Sequence, residues 1–220
     1  MPLTSEYAAA RRHMVDGQIL PNKVMDRRLI AALSDIPRER FVPKALEGVA
    51  YVDEDLEVAP GRFLMEPMVF ARLVEEAGIA PGDAVLDIGA LTGYEAAVMA
   101  RLASVVVAVE EDKDLAKAAG DNLTALGIDN AVVVEGPLNQ GHAKQGPYDV
   151  IFMAGAVEEI PDALLKQLAD GGRLVAVVNR RNIGSATLIT KRNGVLGDRV
   201  LFDAGTPLMP GFARKPEFHF

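Results

Sequence analysis

The 220-residue chain carries 31 acidic and 23 basic side chains, and half of its residues are hydrophobic. This length fits one domain with a sizeable core, and the net charge of −8 argues against nucleic acid or an anionic membrane as the main partner. The absence of cysteine excludes disulfides, thiolate nucleophiles and zinc–cysteine sites. With neither a signal-peptide pattern nor an apolar stretch of the ~18 residues that a membrane span needs, we expect a cytoplasmic protein without a metal site.

Residues 1–60 are predicted to form a mostly helical extension that ends in the turn-rich segment VAPGR. Beyond it, five apolar runs alternate with segments of helical periodicity. The runs are nearly continuous in apolar residues, which is typical of parallel strands covered on both faces. They are AVLDIG (84–89), SVVVAVE (104–110), AVVVEG (131–136), YDVIFMAGA (148–156) and GRLVAVV (172–178).

Helices are predicted over 67–78 and 112–126, where apolar residues recur at helical spacing. Pro161 is predicted to open a further helix, with Ile160, Leu164, Leu165 and Leu168 on one face. Strands and helices that alternate in this way indicate an α/β fold with a doubly wound, mostly parallel sheet.

The last part of the chain departs from the βαβ pattern. Residues 187–202 contain Asn193-Gly194 between two strand-like runs, which predicts an antiparallel hairpin. The tail GTPLMPGFARKPEFHF is predicted to pack as an irregular strap. We therefore expect a single domain made of the extension (1–60), a core (61–178), and the hairpin with its strap (179–220).

The segment DIGALTG at 87–93 has the form of a cofactor loop between a strand and a helix. Gly89 and Gly93 allow a sharp turn and close packing, and the helix that follows offers free N–H groups to a ligand. Roughly 20 residues further on, Glu110 ends the next strand, where an acid can accept hydrogen bonds from ribose hydroxyls. In the alternative interpretation, the glycines only shape the turn and Glu110 begins a solvated cluster with Glu111 and Asp112.

The middle of this loop indicates which cofactor it suits. Leu91 obstructs the close backbone approach that a pyrophosphate needs, whereas S-adenosylmethionine carries no phosphate and Asp87 could orient its ammonium group. A parallel sheet that finishes in an antiparallel hairpin is also the pattern of class I methyltransferases. A nicotinamide dehydrogenase would be expected to continue with parallel units or a second domain.

Most of residues 14–178 resemble one family in a single register. The resemblance is carried by MVDGQI (14–19), DRRLIAAL (26–33), IPRERFVP (36–43), VLDIGALTGYEAAVMA (85–100) and QLADGGRLVAVV (167–178). By these motifs the chain resembles the protein-L-isoaspartate O-methyltransferases. The resemblance implies methyl transfer from S-adenosylmethionine to the α-carboxylate of isoaspartyl residues, with damaged proteins or peptides as partners. It implies a cofactor site formed by Asp87, Gly89, Ala90, Leu91, Gly93, Glu110, Glu111, Gly136 and Pro137.

The sequence departs from the family pattern at the pocket. In GRFLMEP (61–67), Phe63 and Met65 stand where the family has a threonine and a serine that meet the substrate carboxylate. Arg62 is a candidate to clamp that carboxylate in a bidentate pair; the alternative is a surface arginine. Where the family has an adenine-reading aspartate between two glycines, this chain has Gly136-Pro137-Leu138.

Two functional hypotheses follow. The chain is either an active carboxyl methyltransferase with an altered pocket, or a non-catalytic relative that binds a protein or another ligand. Arg38 and Arg40 are expected to anchor the N-terminal helices by salt bridges. Tyr94 could cover the cofactor or fill the core beneath it. Small Gly155 and Ala156 could leave room for a ligand or allow close packing.

Overall fold

A seven-stranded sheet organises the structure, a computed structural model that describes residues 2–180 and 183–214. Its strands are β3 (Ala84–Ile88), β4 (Val105–Glu110), β5 (Ala131–Glu135), β6 (Tyr148–Val157), β7 (Leu168–Arg180), β8 (Ile183–Arg192) and β9 (Val195–Asp203). Their spatial order is β5-β4-β3-β6-β7-β8-β9, parallel from β5 to β7 and antiparallel from β7 to β9. The predicted doubly wound sheet is therefore confirmed.

The helices occupy most of the predicted segments. They are α1 (Pro2–Met14), α2 (Arg27–Asp35), α3 (Pro67–Ala77), α4 (Tyr94–Ala100), α5 (Lys113–Ala125) and α6 (Asp162–Leu165). The helix after Pro161 is much shorter than its periodicity predicts. It makes a single turn, because Leu168 already begins β7, and the predicted place of Leu168 on a helical face is wrong.

The antiparallel hairpin at the end of the sheet is confirmed. Asn193 and Gly194 join β8 to β9 with φ of 51° and 77°, the left-handed pair of angles that a two-residue hairpin turn requires. The strap that follows is described as far as Arg214, and residues 215–220 of the predicted strap lie outside the described residues.

The N-terminal extension ends in an element that the sequence did not predict. Strands β1 (Leu56–Ala59) and β2 (Arg62–Leu64) form a small antiparallel sheet, and VAPGR supplies its turn through Gly61 with φ of 68°. The helices before it share one hydrophobic cluster with the large sheet, in which Met14 and Leu33 join Phe70 and Phe152.

The carboxyl ends of β3, β4 and β6 lie together at the point where the order of strand addition across the sheet changes sides. From β3 the chain builds outward to β4 and β5, and then returns to place β6 on the other side of β3. In such sheets ligands bind at this reversal, beyond the carboxyl ends of the strands. Asp87, Glu110 and Ala154 lie on the strands that end there.

The strap crosses that same edge. Ala204 N–H donates to the Gly184 carbonyl at 3.1 Å, and the chain then pairs with β6 at Ala156. Ala156 donates to the Pro207 carbonyl at 3.0 Å and accepts from Met209 N–H at 2.9 Å. The strap is thus held over the carboxyl end of β6 by regular backbone hydrogen bonds.

Within the described residues, no helix is both long and apolar enough to cross a lipid bilayer.

The close approach of β8 to the start of the strap gives a stability prediction. A Cβ at Gly184 would lie 2.1 Å from the Ala204 carbonyl oxygen, whereas one at Gly197 would have no neighbour nearer than 4.0 Å. We expect Gly184→Ala to lower the free energy of unfolding by about 1–3 kcal/mol, and Gly197→Ala to change it by less than about 0.5 kcal/mol. Urea unfolding measures both, and equal effects would contradict this packing.

Candidate functional site

The glycine turn between β3 and α4 adopts the left-handed backbone that its sequence predicts. The φ angles of Gly89, Leu91 and Gly93 are 92°, 50° and 95°. A Cβ at Gly93 would lie 3.2 Å from the Ala119 Cβ of α5, so this glycine is needed both for its backbone angle and for packing. Leu91 holds its conformation at a cost of roughly 1 kcal/mol, because its Cβ crowds the following carbonyl.

Glu110 is fully buried beside this turn and has four hydrogen bonds. Its carboxylate accepts from Leu91 N–H at 2.8 Å and from Asp112 N–H at 3.0 Å. The guanidinium of Arg62 donates to both of its oxygens, at 2.6 Å each. The interpretation of Glu110 as part of a solvated cluster with Glu111 is therefore wrong; only Glu111 and Asp112 are exposed.

Arg62 reaches Glu110 from β2. Its side chain is 8% exposed, so the interpretation as a surface arginine is wrong. The bidentate geometry predicted for it is present, but its partner is a carboxylate of the same chain. The group expected to hold a substrate and the group expected to hold a ribose are thus bonded to each other.

Asp87, at the end of β3, is fully buried, and in the described part of the chain neither of its carboxylate oxygens has a hydrogen-bond partner. Burial raises the pKa of Asp87 well above its usual range, and the nearby Glu95 and Glu110 carboxylates raise it further. Asp87, which lies just before the glycine turn, is therefore a buried carboxyl group whose protonated form is favoured by its surroundings.

Met209 of the strap fills the space beyond β3 and β6. A Cβ at Gly155 would lie 2.5 Å from Met209 Cγ, and one at Gly89 would lie 3.0 Å from its Sδ. The small residues therefore receive the strap, and of the two alternatives for Gly155 and Ala156 this arrangement favours close packing over room for a ligand. The remaining cavity, lined by Arg62, Leu91 and Met209 among others, measures about 10 Å³.

The other predicted site residues lie around this centre. Ala90 is buried in the turn, and Gly136 N–H donates to the Glu110 carbonyl at 2.9 Å. Pro137 is exposed, and Phe63 is half-buried at the small cavity. Met65 is completely buried in the hydrophobic core, so its side chain does not line the cavity where the family serine was expected to act.

A second buried polar group lies beneath the site. Arg38 is completely buried and donates to the Ala50 and Met65 carbonyls, at 2.7 Å each, with its guanidinium 4.8 Å from the centre of the Tyr94 ring. The predicted salt bridges of Arg38 and Arg40 are absent from the described residues. Arg38 anchors the chain through backbone carbonyls, and Arg40 is exposed.

Tyr94 fills the core, which decides between its two interpretations. Its ring packs 5.5 Å from Phe41 and 5.8 Å from Phe70. The next residue, Glu95, was missed by the sequence analysis; it is fully buried, and in the described part of the chain its carboxylate has no hydrogen-bond partner. A lone glutamate in the apolar helix YEAAVMA was the signal that could have identified it.

Comparisons with known proteins agree with this architecture. The family model for protein-L-isoaspartate(D-aspartate) O-methyltransferase matches residues 10–202. A protein-L-isoaspartate O-methyltransferase from Methanoculleus marisnigri is 42% identical over 184 residues, which cover 84% of each chain. A second, from Koribacter versatilis, is 38% identical over 195 residues, covering 89% of this chain and 88% of its own.

The chain belongs to the protein-L-isoaspartate(D-aspartate) O-methyltransferase family. A solved protein-L-isoaspartate O-methyltransferase superposes with a TM-score of 0.81 at 30% identity, over 91% of this chain and 66% of its own. A structure from Plasmodium falciparum in complex with S-adenosyl-L-homocysteine shares the fold, with a TM-score of 0.78 at 20% identity over 90% of this chain and 97% of its own. The family is one of S-adenosylmethionine-dependent carboxyl methyltransferases, and S-adenosylmethionine is its cofactor.

The residues of this methyltransferase provide only part of a site for that cofactor. Asp87 and Gly89 lie at the start of the glycine turn, and Glu110 lies beside it. The carboxylate of Asp87 has no hydrogen-bond partner in the described residues and suits an ammonium group. However, Arg62 takes both oxygens of Glu110, and Met209 lies against Gly89. A cavity of about 10 Å³ holds at most one water, whereas ligand pockets measure about 300 Å³ or more. In this conformation the site does not fit S-adenosylmethionine.

The buried ion pair of this methyltransferase gives a stability prediction. Glu110→Gln places an amide NH₂ among the N–H donors that face Glu110 and leaves Arg62 buried without its countercharge. We expect it to lower the free energy of unfolding by about 3–5 kcal/mol. The control is Asp35→Asn, which removes the exposed ion pair to Arg101 and should cost less than about 1 kcal/mol. Denaturant unfolding that gives equal losses would contradict the role of the pair.

Glu95 gives a prediction of pH dependence. Burial raises its pKa from 4.5 to about 7 in the folded protein. The folded state therefore holds the proton more tightly than the unfolded state, and the wild type loses stability as pH rises from about 4.5 to 7. Glu95→Gln should remove this loss. The free energy of unfolding of the variant, relative to that of the wild type, should therefore rise by about 3 kcal/mol between pH 4 and pH 8. Urea midpoints across this range measure the gap, and a gap independent of pH would contradict the assignment.

Proposed function

We propose that this chain methylates the free α-carboxylate of isoaspartyl residues in damaged proteins, with S-adenosylmethionine as methyl donor. The observation that supports it is the placement of Glu110 beside the Gly89–Gly93 turn, at the reversal point of the sheet. Asp87 ends the neighbouring strand at the same edge. Because the chain contains no cysteine, which suits a reducing compartment, we also propose that it works in the cytoplasm.

The reaction requires little acid–base chemistry from the protein. The substrate carboxylate is already ionised at pH 7, so no catalytic base has to remove a proton. What the chain must supply is position, because a carboxylate held in line for attack gains most of its rate from that alignment. Excluding water from the site is the second requirement.

Arg62 is the side chain best suited to hold the substrate carboxylate. Its planar guanidinium already forms a bidentate pair with a carboxylate, at 2.6 Å for both bonds, which is the arrangement an isoaspartyl carboxylate offers. Met65 stands at the serine position of the family but faces the core, so we assign it no contact with substrate. For the cofactor we retain the turn from Asp87 to Gly93 together with Glu110, and place Glu111, Gly136 and Pro137 at the rim.

We propose that extension, core and strap act as one domain. Met14 of α1 and Val177 of β7 lie in the same hydrophobic cluster. Met209 of the strap belongs to the cluster on the opposite face of the sheet. Removing either end of the chain should therefore disturb the core that supports the site.

The function is tested with a matched pair of peptides. One carries an isoaspartyl residue and the other carries aspartate at the same position, and each is incubated with the full chain and S-adenosylmethionine labelled in its methyl group. We expect base-labile methyl ester on the isoaspartyl peptide and at least tenfold less on the aspartyl peptide, since only the former presents a free α-carboxylate beside the altered linkage. Release of labelled methanol measures the ester.

Absence of ester on the isoaspartyl peptide, at saturating peptide and millimolar S-adenosylmethionine, would contradict the proposal. The chain would then be a non-catalytic family member. Equal methylation of both peptides would leave the methyltransferase activity in place and contradict the isoaspartyl specificity.

A further inference from the structure

We propose that Arg62 and the strap form an internal lock on the cofactor site, in which the chain's own side chains occupy the places of the cofactor. The inference deepens the proposed function, since it concerns the regulation of the same site. Arg62 takes the ribose position at Glu110, and Met209 takes the position beside Gly89. S-adenosylmethionine and its product then bind only in the fraction of molecules in which both have moved.

The first half of the lock is the ion pair. Two hydrogen bonds of 2.6 Å join Arg62 to the buried carboxylate of Glu110. Ribose hydroxyls would have to replace this charged donor with neutral ones, so Glu110 would lose its countercharge and the planar, bidentate geometry that the guanidinium provides. Displacement would also leave the Arg62 guanidinium without a countercharge unless it moved into water.

The second half is the strap. Met209 is 5% exposed and lies over Gly89, which follows β3, and Gly155, which lies within β6 shortly before its end at Val157. The backbone bonds of Ala156 with Pro207 and Met209 keep it there. An unbranched thioether side chain fills irregular space well, and here it occupies the space next to the turn where an amino-acid end of a ligand would lie.

The two halves are linked through Asp55. Its carboxylate accepts from the hydroxyl of Thr206 at 3.0 Å and from the N–H of Glu66 at 3.0 Å. Thr206 belongs to the strap, and Glu66 follows the β2 strand that carries Arg62. Movement of the β1–β2 hairpin away from Glu110 therefore strains the hydrogen bond between Asp55 and Thr206. We expect the Arg62 pair and the strap to open together.

The lock predicts a reduced affinity that mutation can recover. When only a fraction of the molecules is open, the apparent dissociation constant equals the intrinsic one divided by that fraction. Arg62→Ala removes the first half, Met209→Ala the second, and Thr206→Val the link between them. Each should raise the affinity for S-adenosyl-L-homocysteine, and the Arg62→Ala/Met209→Ala pair should raise it at least tenfold over the wild type.

Binding is measured by calorimetric titration of the full chain with S-adenosyl-L-homocysteine, so no turnover is required. Hydrogen exchange of the Ala156 and Met209 amides gives an independent readout, because both donate the bonds that hold the strap. We expect both amides to exchange faster in the ligand complex and in Thr206→Val than in the free wild type. Arg101→Ala, which removes an exposed arginine, and Met153→Ala, which truncates a buried methionine that does not line the cavity, are the matched controls and should not gain affinity.

A wild type that binds within twofold of the double variant, or a folded double variant that gains no affinity, would overturn the lock. Arg62→Ala leaves Glu110 buried without its partner, so Arg62→Lys provides a milder variant. It keeps the charge and loses the planar fork, and it should raise affinity less than Met209→Ala. Equal affinities of Met209→Ala, Arg62→Lys and wild type would overturn the proposal without recourse to the double variant.

The outcomes separate the lock from the proposed function. A Met209→Ala variant, which keeps Arg62, that binds S-adenosyl-L-homocysteine more tightly than the wild type but methylates no isoaspartyl peptide supports the lock and contradicts the methyltransferase activity. A wild type that methylates the peptide and binds as tightly as the double variant supports the activity and contradicts the lock.

Discussion

The pair between Arg62 and Glu110 is the interaction on which the arrangement of the site depends. Glu110 is fully buried at the end of β4, and an ionised carboxylate there is tolerated only if its charge is matched. The match comes from a guanidinium on the short β1–β2 hairpin, which precedes the large sheet in the sequence, together with two backbone N–H groups. The hairpin, the glycine turn and the sheet edge are consequently held in one geometry by a single carboxylate.

Leu91 shows how the loop has adapted to this interaction. A glycine at the middle of such a turn allows a ligand to approach the backbone, and here a buried leucine takes the same left-handed angle. Its N–H points to Glu110 rather than to open space. The strain at Leu91 is offset by burial of its side chain and by this hydrogen bond. Leu91 and Arg62 therefore act on the same carboxylate, although they are far apart in the sequence.

Most of the fold could be predicted from the sequence, because its signals are local. Continuous apolar runs, helical periodicity and Asn193-Gly194 each depend on a few neighbouring residues, and they identified the sheet and its hairpin correctly. The site could be predicted only as a set of positions. That Arg62 would meet Glu110, 48 residues away, depends on the β1–β2 hairpin, whose strands of four and three residues are too short to show a pattern. Arg38 was likewise assigned by residue type, and Glu95 was missed, because the burial of both side chains follows from tertiary packing alone.

The position of the strap, after all the strands of the large sheet in the sequence, affects how the site is assembled. Every strand of the sheet and the turn at Gly89 precede Thr206 and Met209, so the ribosome releases the whole sheet before the segment that covers it. A chain folded only as far as β9 would leave this edge of the sheet uncovered, because the side chain that packs against Gly89 and Gly155 belongs to Met209. The cover is the last part of the site to be synthesised, and at Ala156 two backbone hydrogen bonds hold it, so it can detach there without breaking the pairing between the strands of the large sheet.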